Sequence, residues 1–190
     1  SEDTIRRDLR ELAAEGLLRR VHGGALPVSP AAVLSAAERE RVPSAEKRAL
    51  AAAAARLVGA GQAVRLDGGS TNLLLARELP RDLSATILTS SPAVALALSE
   101  HERLEVVLLG GRMVRRTGTT AGPEAIDAIR AVSADLCFLG VCSLDAGAGI
   151  SCAEREELFV KRAMIERSAE VVAVATADKL GAVAPHVVAP

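Results

Sequence analysis

The segment Asp67-Gly68-Gly69-Ser70-Thr71-Asn72 gathers residue types that hold anions. It follows the apolar tetrapeptide 63–66 and opens a stretch of helix formers, so it reads as a turn from a strand into a helix. Two glycines allow a ligand to approach the backbone closely. The next amides, with the hydroxyls of Ser70 and Thr71, would face outward at a helix N-terminus, which suits a phosphate. An ordinary strand-to-helix turn capped by Ser70 fits the same letters. Thr89-Ser90-Ser91, Gly110-Gly111, Gly140 and Thr176-Ala177-Asp178-Lys179 also close apolar runs. In an open parallel sheet such ends share one crevice, where ligands bind. Lys179 would carry positive charge to a phosphate there. Lys161 would add a second charge or bind sugar oxygens, with a plain surface lysine as the alternative.

A second group of chemically capable residues opens the chain. With Ile5 at zero and roughly 100° per residue, Leu9 and Leu12 fall within about 40° of it. Arg6, Arg7 and Arg10 fall at about 100–200°, while Asp8, Glu11 and Glu15 fall at about 240–300°. Five arginines match five acids over this region, yet the signs are segregated. An arginine-lined flank on a short exposed helix suits a major groove, where Arg pairs with guanine or phosphate. Arg19, Arg20 and His22 follow, placed to grip the adjoining backbone. A solvated amphipathic helix with pairs such as Arg7–Glu11 is the competing account.

Three regions must position these groups. Residues 1–26 read as a helix, with Ser1 as a candidate cap, stopped at Gly16 and followed by a small hairpin turning at Gly23-Gly24. Residues 27–43, with Pro27, Pro30, Pro43 and the run Glu38-Arg39-Glu40-Arg41, read as a linker that is partly helical in its middle. Residues 44–190 alternate apolar strands (63–66, 86–89, 105–109, 136–141, 171–175) with helices (44–58, 70 onward, 92–99, 123–132, 154–168). That rhythm predicts an α/β fold with a mainly parallel sheet and helices on both faces.

Composition narrows the function classes. Of the 190 residues, 49% are hydrophobic and 25% charged, which places the chain among globular proteins and excludes disorder. Two Phe, with neither Tyr nor Trp, nearly remove the stacking platforms that single-strand binders use. A net charge of -1 gives no global field for nucleic acid or acidic lipid, so any such site must be local. Cys137, Cys142 and Cys152 are odd in number, lack a C-x-x-C pattern and have no nearby His. They read as small apolar fillers in a reducing compartment rather than as a disulfide framework or metal site. The longest apolar run, residues 49–55, is far short of a membrane span, and no secretory leader is read, so a cytoplasmic location is expected. The chain starts at Ser1 inside an established pattern and reads as part of a longer protein.

Ser1-Glu2-Asp3-Thr4-Ile5-Arg6-Arg7-Asp8-Leu9 resembles the recognition helix of the DeoR family of bacterial transcriptional regulators, and Leu17-Leu18-Arg19-Arg20-Val21-His22-Gly23-Gly24-Ala25 resembles that family's wing. The Asp-Gly-Gly-Ser-Thr turn, the Leu-Leu-Gly-Gly and Phe-Leu-Gly strand ends, Val-Lys-Arg-Ala-Met-Ile at 160–165 and Asp-Lys-Leu-Gly occur in family order. The resemblance spans essentially the whole chain. It implies a winged helix-turn-helix that lacks its first two helices here, and then a Rossmann-like effector domain similar in fold to ribose-5-phosphate isomerase A and glucosamine-6-phosphate deaminase. It further implies a repressor more often than an activator, oligomeric, with operator DNA and a phosphorylated sugar or polyol as partners and no cofactor. Such a truncated head should bind DNA poorly, recognition being a property of the parent. Thr4, Arg6, Arg7, Arg10, Arg19, Arg20 and His22 would meet DNA. Gly68, Gly69, Ser70, Thr71, Asn72, Ser90, Gly110, Gly111, Cys142, Lys161 and Lys179 would surround the effector, and Asp67 would bind sugar hydroxyls or fix the loop.

An enzyme on the same fold is the alternative. Isomerase chemistry needs a carboxylate within reach of the reacting carbon. Cys142 occupies the position where such enzymes, and many effector domains, carry Asp. Asp145, Glu154, Glu156 and Glu157 remain as carboxylates. The sequence therefore predicts a sensor rather than a catalyst. Asp178 beside the lysine would repel a phosphate unless turned away.

Overall fold

The structure is a computed structural model, and it describes residues 2–15, 18–21, 24–28, 33–42 and 44–190. Helix α1 (Glu2–Ala14) carries Glu2 and Asp3 in its first turn, where acidic charge complements the helix dipole. It buries none of its residues, and Ile5 is 61% exposed. Strands β1 (Leu18–Val21) and β2 (Gly24–Pro27) pair antiparallel as the expected hairpin, with Arg19 opposite Leu26 and Arg20 opposite Ala25. The readings placed on Ser1, Gly16, His22, Gly23, Pro30 and Pro43 lie outside the described residues.

Within the stretch read as a linker stands α2 (Ala36–Arg41). Ser35 and Glu38 hold it in a reciprocal capping box: Glu38 N donates to Ser35 Oγ at 3.3 Å, and Ser35 N donates to Glu38 Oε2 at 2.7 Å.

Next come α3 (Ala45–Ala55), β3 (Ala63–Leu66), α4 (Ser70–Glu78), β4 (Ala85–Thr89), α5 (Pro92–Ala97) and β5 (Leu104–Leu108). The chain then forms β6 (Arg112–Val114), β7 (Thr119–Ala121), α6 (Pro123–Ala131), β8 (Ala134–Gly140), β9 (Ser143–Asp145), β10 (Gly149–Cys152), α7 (Arg155–Glu166), β11 (Ser168–Val174) and β12 (His186–Ala189). A single 3-10 turn, Ala177–Lys179, follows β11.

Five strands form the central sheet in the order β11-β8-β3-β4-β5, every pairing parallel. Alternation sets its faces. Val64 and Leu66 are fully buried with Ile87 and Phe138 under α3, α4 and α5. Cys137 packs on the other face with Ile129, Val160 and Met164 of α6 and α7. Helices on both faces of a parallel sheet match the architecture read from the sequence.

Arg65 points to the second face and is 0% exposed. Its guanidinium donates to Ile129 O and Val132 O at the end of α6 (3.3 and 2.9 Å), and to Arg167 O and Ser168 Oγ after α7 (3.1 and 2.8 Å). A buried arginine thus satisfies carbonyls that helix ends leave open.

Two features were not anticipated. β6 and β7 form an antiparallel ribbon, and β12-β10-β9 forms a second, antiparallel sheet. Strand order reverses between β3 and β8: the chain proceeds from β3 through β4 to β5, then crosses back to β8 and β11. A doubly wound sheet opens its crevice at that reversal. Among the described residues, no helix is long and apolar enough to cross a membrane.

Candidate functional site

At the reversal, Asp67 ends β3 and Gly140 ends β8. Asp67 Oδ1 accepts from Gly68 N at 2.7 Å, and Oδ2 accepts from Gly140 N at 2.9 Å. A Cβ at Gly140 would stand 2.7 Å from Gly68 O and 3.1 Å from Asp67 Oδ2, so this approach requires glycine. Gly69 adopts φ 106°, a value that L side chains avoid, and serves as the N-cap of α4. No side chain among the described residues caps that helix. The first-turn amides of Ser70, Thr71 and Asn72 have no partner within the helix by geometry, and these residues line a cleft of about 50 Å³. Asn72 donates its side-chain amide to Asp67 O (3.1 Å) and Phe138 O (3.0 Å), pinning the turn from below.

Gly68, Gly69, Ser70, Thr71, Asn72, Cys142, Lys161 and Lys179 all line this cleft. The sequence had grouped these eight, and the fold brings them together.

Asp67 lies beneath the floor and fixes the loop, the second of its two expected roles. Its carboxylate also accepts from Lys161 Nζ, with the two side chains only 4% and 5% exposed. Lys161 donates to Gly140 O at 2.8 Å and stands 4.0 Å from Glu157. Burial alone would lower the pKa of this ammonium. The Asp67 and Glu157 carboxylates outweigh burial and hold it above the ordinary lysine value. Its charge is therefore already matched by Asp67 and Glu157, and it is buried rather than the surface lysine that stood as one alternative.

Lys179 is different. It is 9% exposed and lines the cleft, and no carboxylate among the described residues lies within ion-pair distance of it. Burial pulls its pKa down to about 8 from an ordinary 10.5, opposed by Asp178. Asp178 itself is exposed.

Ser90, Gly110 and Gly111 do not line the cleft. After β5 the chain turns into the β6–β7 ribbon, and its connection presents Arg116 and Thr117 to the cleft instead. A Cβ at Gly111 would meet Ala121 O at 2.7 Å, so that glycine serves the ribbon's packing. Ser90 O accepts from Thr120 N at 2.8 Å, and its hydroxyl is buried without a partner among the described residues.

Sequence reasoning passed over Arg39 of α2, Arg116 and Thr117. All three lie in the lining, and nothing in their local pattern separates them from surface residues. Four cations, Arg39, Arg116, Lys161 and Lys179, therefore surround the site. Of the carboxylates considered for catalysis, only Glu157 lines the cleft. Burial pushes its pKa up, with Lys161 opposing. Glu154 pairs with Arg116 at 2.5 Å, Glu156 pairs with Arg112, and Asp145 accepts from the amides of Gly147 and Ala148 at 2.9 Å. Burial raises the pKa of the Cys142 thiol, with Glu157 adding to the effect.

On α1, Thr4, Arg6, Arg7 and Arg10 are exposed. Arg6 pairs with Glu2 at 2.6 Å and Arg7 with Glu11 at 3.7 Å. These are solvent-facing pairs of about 0–1 kcal/mol each, easily exchanged for another anion. The side chains of Arg19 and Arg20, and all of His22, lie outside the described residues.

With this geometry established, known proteins give it context. Residues 43–190 match the DeoR C terminal sensor domain, and residues 1–31 match the DeoR-like helix-turn-helix domain. The chain is 40% identical over 182 residues to the HTH-type transcriptional regulator GlpR of Haloferax volcanii, covering 95% of this chain and 71% of that protein. It is 32% identical over 181 residues to the Glycerol-3-phosphate regulon repressor of Escherichia coli K12, covering 95% and 72%. Among solved structures, ribose 5-phosphate isomerase A from Methanocaldococcus jannaschii is similar with a TM-score of 0.51 at 19% identity. The match covers 71% of this chain and 53% of that one, so the chain spans about half the enzyme's length. At that identity the likeness is one of fold alone.

Proposed function

The chain belongs to the DeoR family of transcriptional regulators, and on that premise we propose that it is a DNA-binding repressor whose cleft senses a phosphorylated sugar or polyol. One observation carries the ligand class. The α4 N-terminus, with no side-chain cap among the described residues, and the buried ammonium of Lys179, with no ion-pair partner among them, belong to residues lining the same cleft. Oriented amides and a helix dipole favour a phosphate, and a desolvated cation without a counter-charge favours it again. The effector's phosphate meets the amides of residues 69–72, the Ser70 and Thr71 hydroxyls and Lys179. Its hydroxyls meet the rim near Cys142 and Glu157.

The DNA unit is the exposed face of α1, with Thr4, Arg6, Arg7 and Arg10, together with Arg19, Arg20 and His22 of the wing. Copies act as a homo-oligomer in the cytoplasm, because readers of this kind pair half-sites. The effector prefers one arrangement of the protein, and that arrangement changes the fit of the heads to the operator.

No catalysis is assigned. Cys142 stands where an isomerase base would, and its thiol is held protonated. A calorimetric panel tests the reading: phosphorylated sugars and polyols against their unphosphorylated forms, with pentose phosphates followed for turnover. Binding confined to the phosphorylated members, without conversion, is expected. Equal binding of unphosphorylated sugars would remove the phosphate role, and turnover would make the protein an enzyme. Duplexes selected from a random pool should be released when the tightest-binding phosphorylated compound is added.

A further inference from the structure

α2 stands between the two modules in the chain, since β2 ends at Pro27 and α2 begins at Ala36. It is also a wall of the cleft. Arg39 is half-buried and lines the cleft beside Arg116 and Lys179. On the other side of the helix, Ala36, Ala37 and Glu40 line a more apolar recess. Gly69 and Thr117 belong to both cavities. One short helix therefore closes the space in front of the α4 N-terminus.

The helix is held by polar contacts at the cleft's rim. Ala36 N donates to Arg116 O at 2.8 Å, and Arg116 Nη1 donates to Val33 O at 3.5 Å. Lys47 of α3 donates to Arg39 O at 3.1 Å. A helix of six residues has little stability of its own, so its position depends on contacts such as these.

We infer that Arg39 is an anion ligand of the effector, and that α2 is the element through which an occupied cleft is reported to the N-terminal helix and hairpin. The inference rests on the reading of the cleft as a phosphate site. Arg39 Nη1 already donates to Leu34 O at 2.5 Å, so a phosphate on the α4 amides that also accepts from the rest of this guanidinium adds a further tie between α2 and the sheet frame. Arginine suits the task because its planar fork reaches two phosphate oxygens at once. The equilibrium being shifted is the docking of α2, whose far end continues into the DNA unit.

Inorganic phosphate is the probe. Hydrogen exchange on the whole chain, with and without saturating phosphate, reports the amides of α2 and of residues 69–72 separately. Titration calorimetry of wild type, Arg39→Ala and Arg39→Lys gives the affinities. Phosphate should protect both segments in wild type. Arg39→Ala should weaken binding by roughly 10- to 100-fold, the loss of a charge-assisted contact, and should abolish the protection of α2. Arg39→Lys should retain much of the affinity. The measurement on wild type stands even if a variant folds badly. Protection of residues 69–72 without protection of α2, or unchanged affinity in Arg39→Ala, overturns this inference and leaves the phosphate site intact. Absence of phosphate binding by wild type overturns both.

Discussion

Replacing Lys179 with Met should make the protein more stable and less able to bind its effector. At pH 7 the wild-type ammonium is charged, although its folded-state pKa of about 8 lies below the ordinary 10.5. At about 1.4 kcal/mol per pH unit, that interval corresponds to about 3 kcal/mol of destabilisation by an unpaired buried charge. Methionine has similar length and no charge to desolvate. Lys179→Met should therefore gain up to about 3 kcal/mol at pH 7, or about 6–12 °C in Tm for a chain of this size.

The pH dependence has a defined sign. Between pH 8 and 10.5 the unfolded lysine binds more protons than the folded one, so wild-type stability rises with pH across that window. The advantage of the variant shrinks in step and is gone near pH 10.5. Phosphate restores the missing counter-charge, so wild type should take up protons on binding at pH 8–9. Its affinity should fall as pH rises past about 8. The variant should bind phosphate at least tenfold more weakly, with no such proton uptake. Thermal unfolding from pH 6 to 10.5, and calorimetry in buffers of different ionisation enthalpy, read both effects. A variant that is less stable than wild type at pH 7, or that binds phosphate equally well, would refute the argument that Lys179 is a cation held in reserve for an anion.

Asp67→Ala should cost about 3–5 kcal/mol in urea unfolding, because it strands the Lys161 ammonium in the interior; a loss below 1 kcal/mol would show that Glu157 and Gly140 O suffice to hold that charge. Gly140→Ala should lose about 1–3 kcal/mol and weaken phosphate binding, since its methyl group would press on Gly68 O and Asp67 Oδ2; normal affinity would mean the turn relaxes freely. Of the three thiols, burial raises Cys137 and Cys152 to about 12, and both are fully buried, whereas Cys142 lines the cleft. A maleimide should label Cys142 alone in the folded protein, slowly, and phosphate should slow it further; labelling indifferent to phosphate would place the anion elsewhere.

The parallel sheet was legible because its strands are apolar runs that end in small or hydroxyl-bearing residues, and those ends converge by topology alone. The turn 67–72 was legible for the same reason, as six consecutive residues carry it. Lys179 drew notice as the close of a strand end and Lys161 as a lysine on the long helix after the Gly147-Ala148-Gly149 loop, but their difference was not visible. Only the fold shows that Lys161 meets Asp67 across 94 positions of sequence, while no carboxylate among the described residues lies within ion-pair distance of Lys179. β6, β7, β9, β10 and β12 escaped because each is short and its letters carry no apolar run or turn signal that stands out from the neighbouring segments. α2 carried a readable signal, Ser35 three positions before Glu38, which the surrounding prolines and charges obscured. Arg39 and Arg116 carried none. Each stands in a run of like residues, and only the approach of α2 to the β6–β7 connection singles them out.

Arg65 determines where this molecule is able to yield. It locks β3 to the terminal carbonyls of α6 and α7, two residues ahead of the carboxylate that shapes the anion turn. That side of the crevice behaves as a stator, keyed at several points and unable to shift without exposing a guanidinium and its acceptors together. The opposite bank is built of shorter segments, where α2 is held by a few polar contacts such as Ala36 N to Arg116 O and Lys47 Nζ to Arg39 O. A ligand seated in the crevice, if it displaces anything, should therefore displace the α2 side, which leads toward the amino-terminal end, rather than the sheet and the helices that Arg65 binds together.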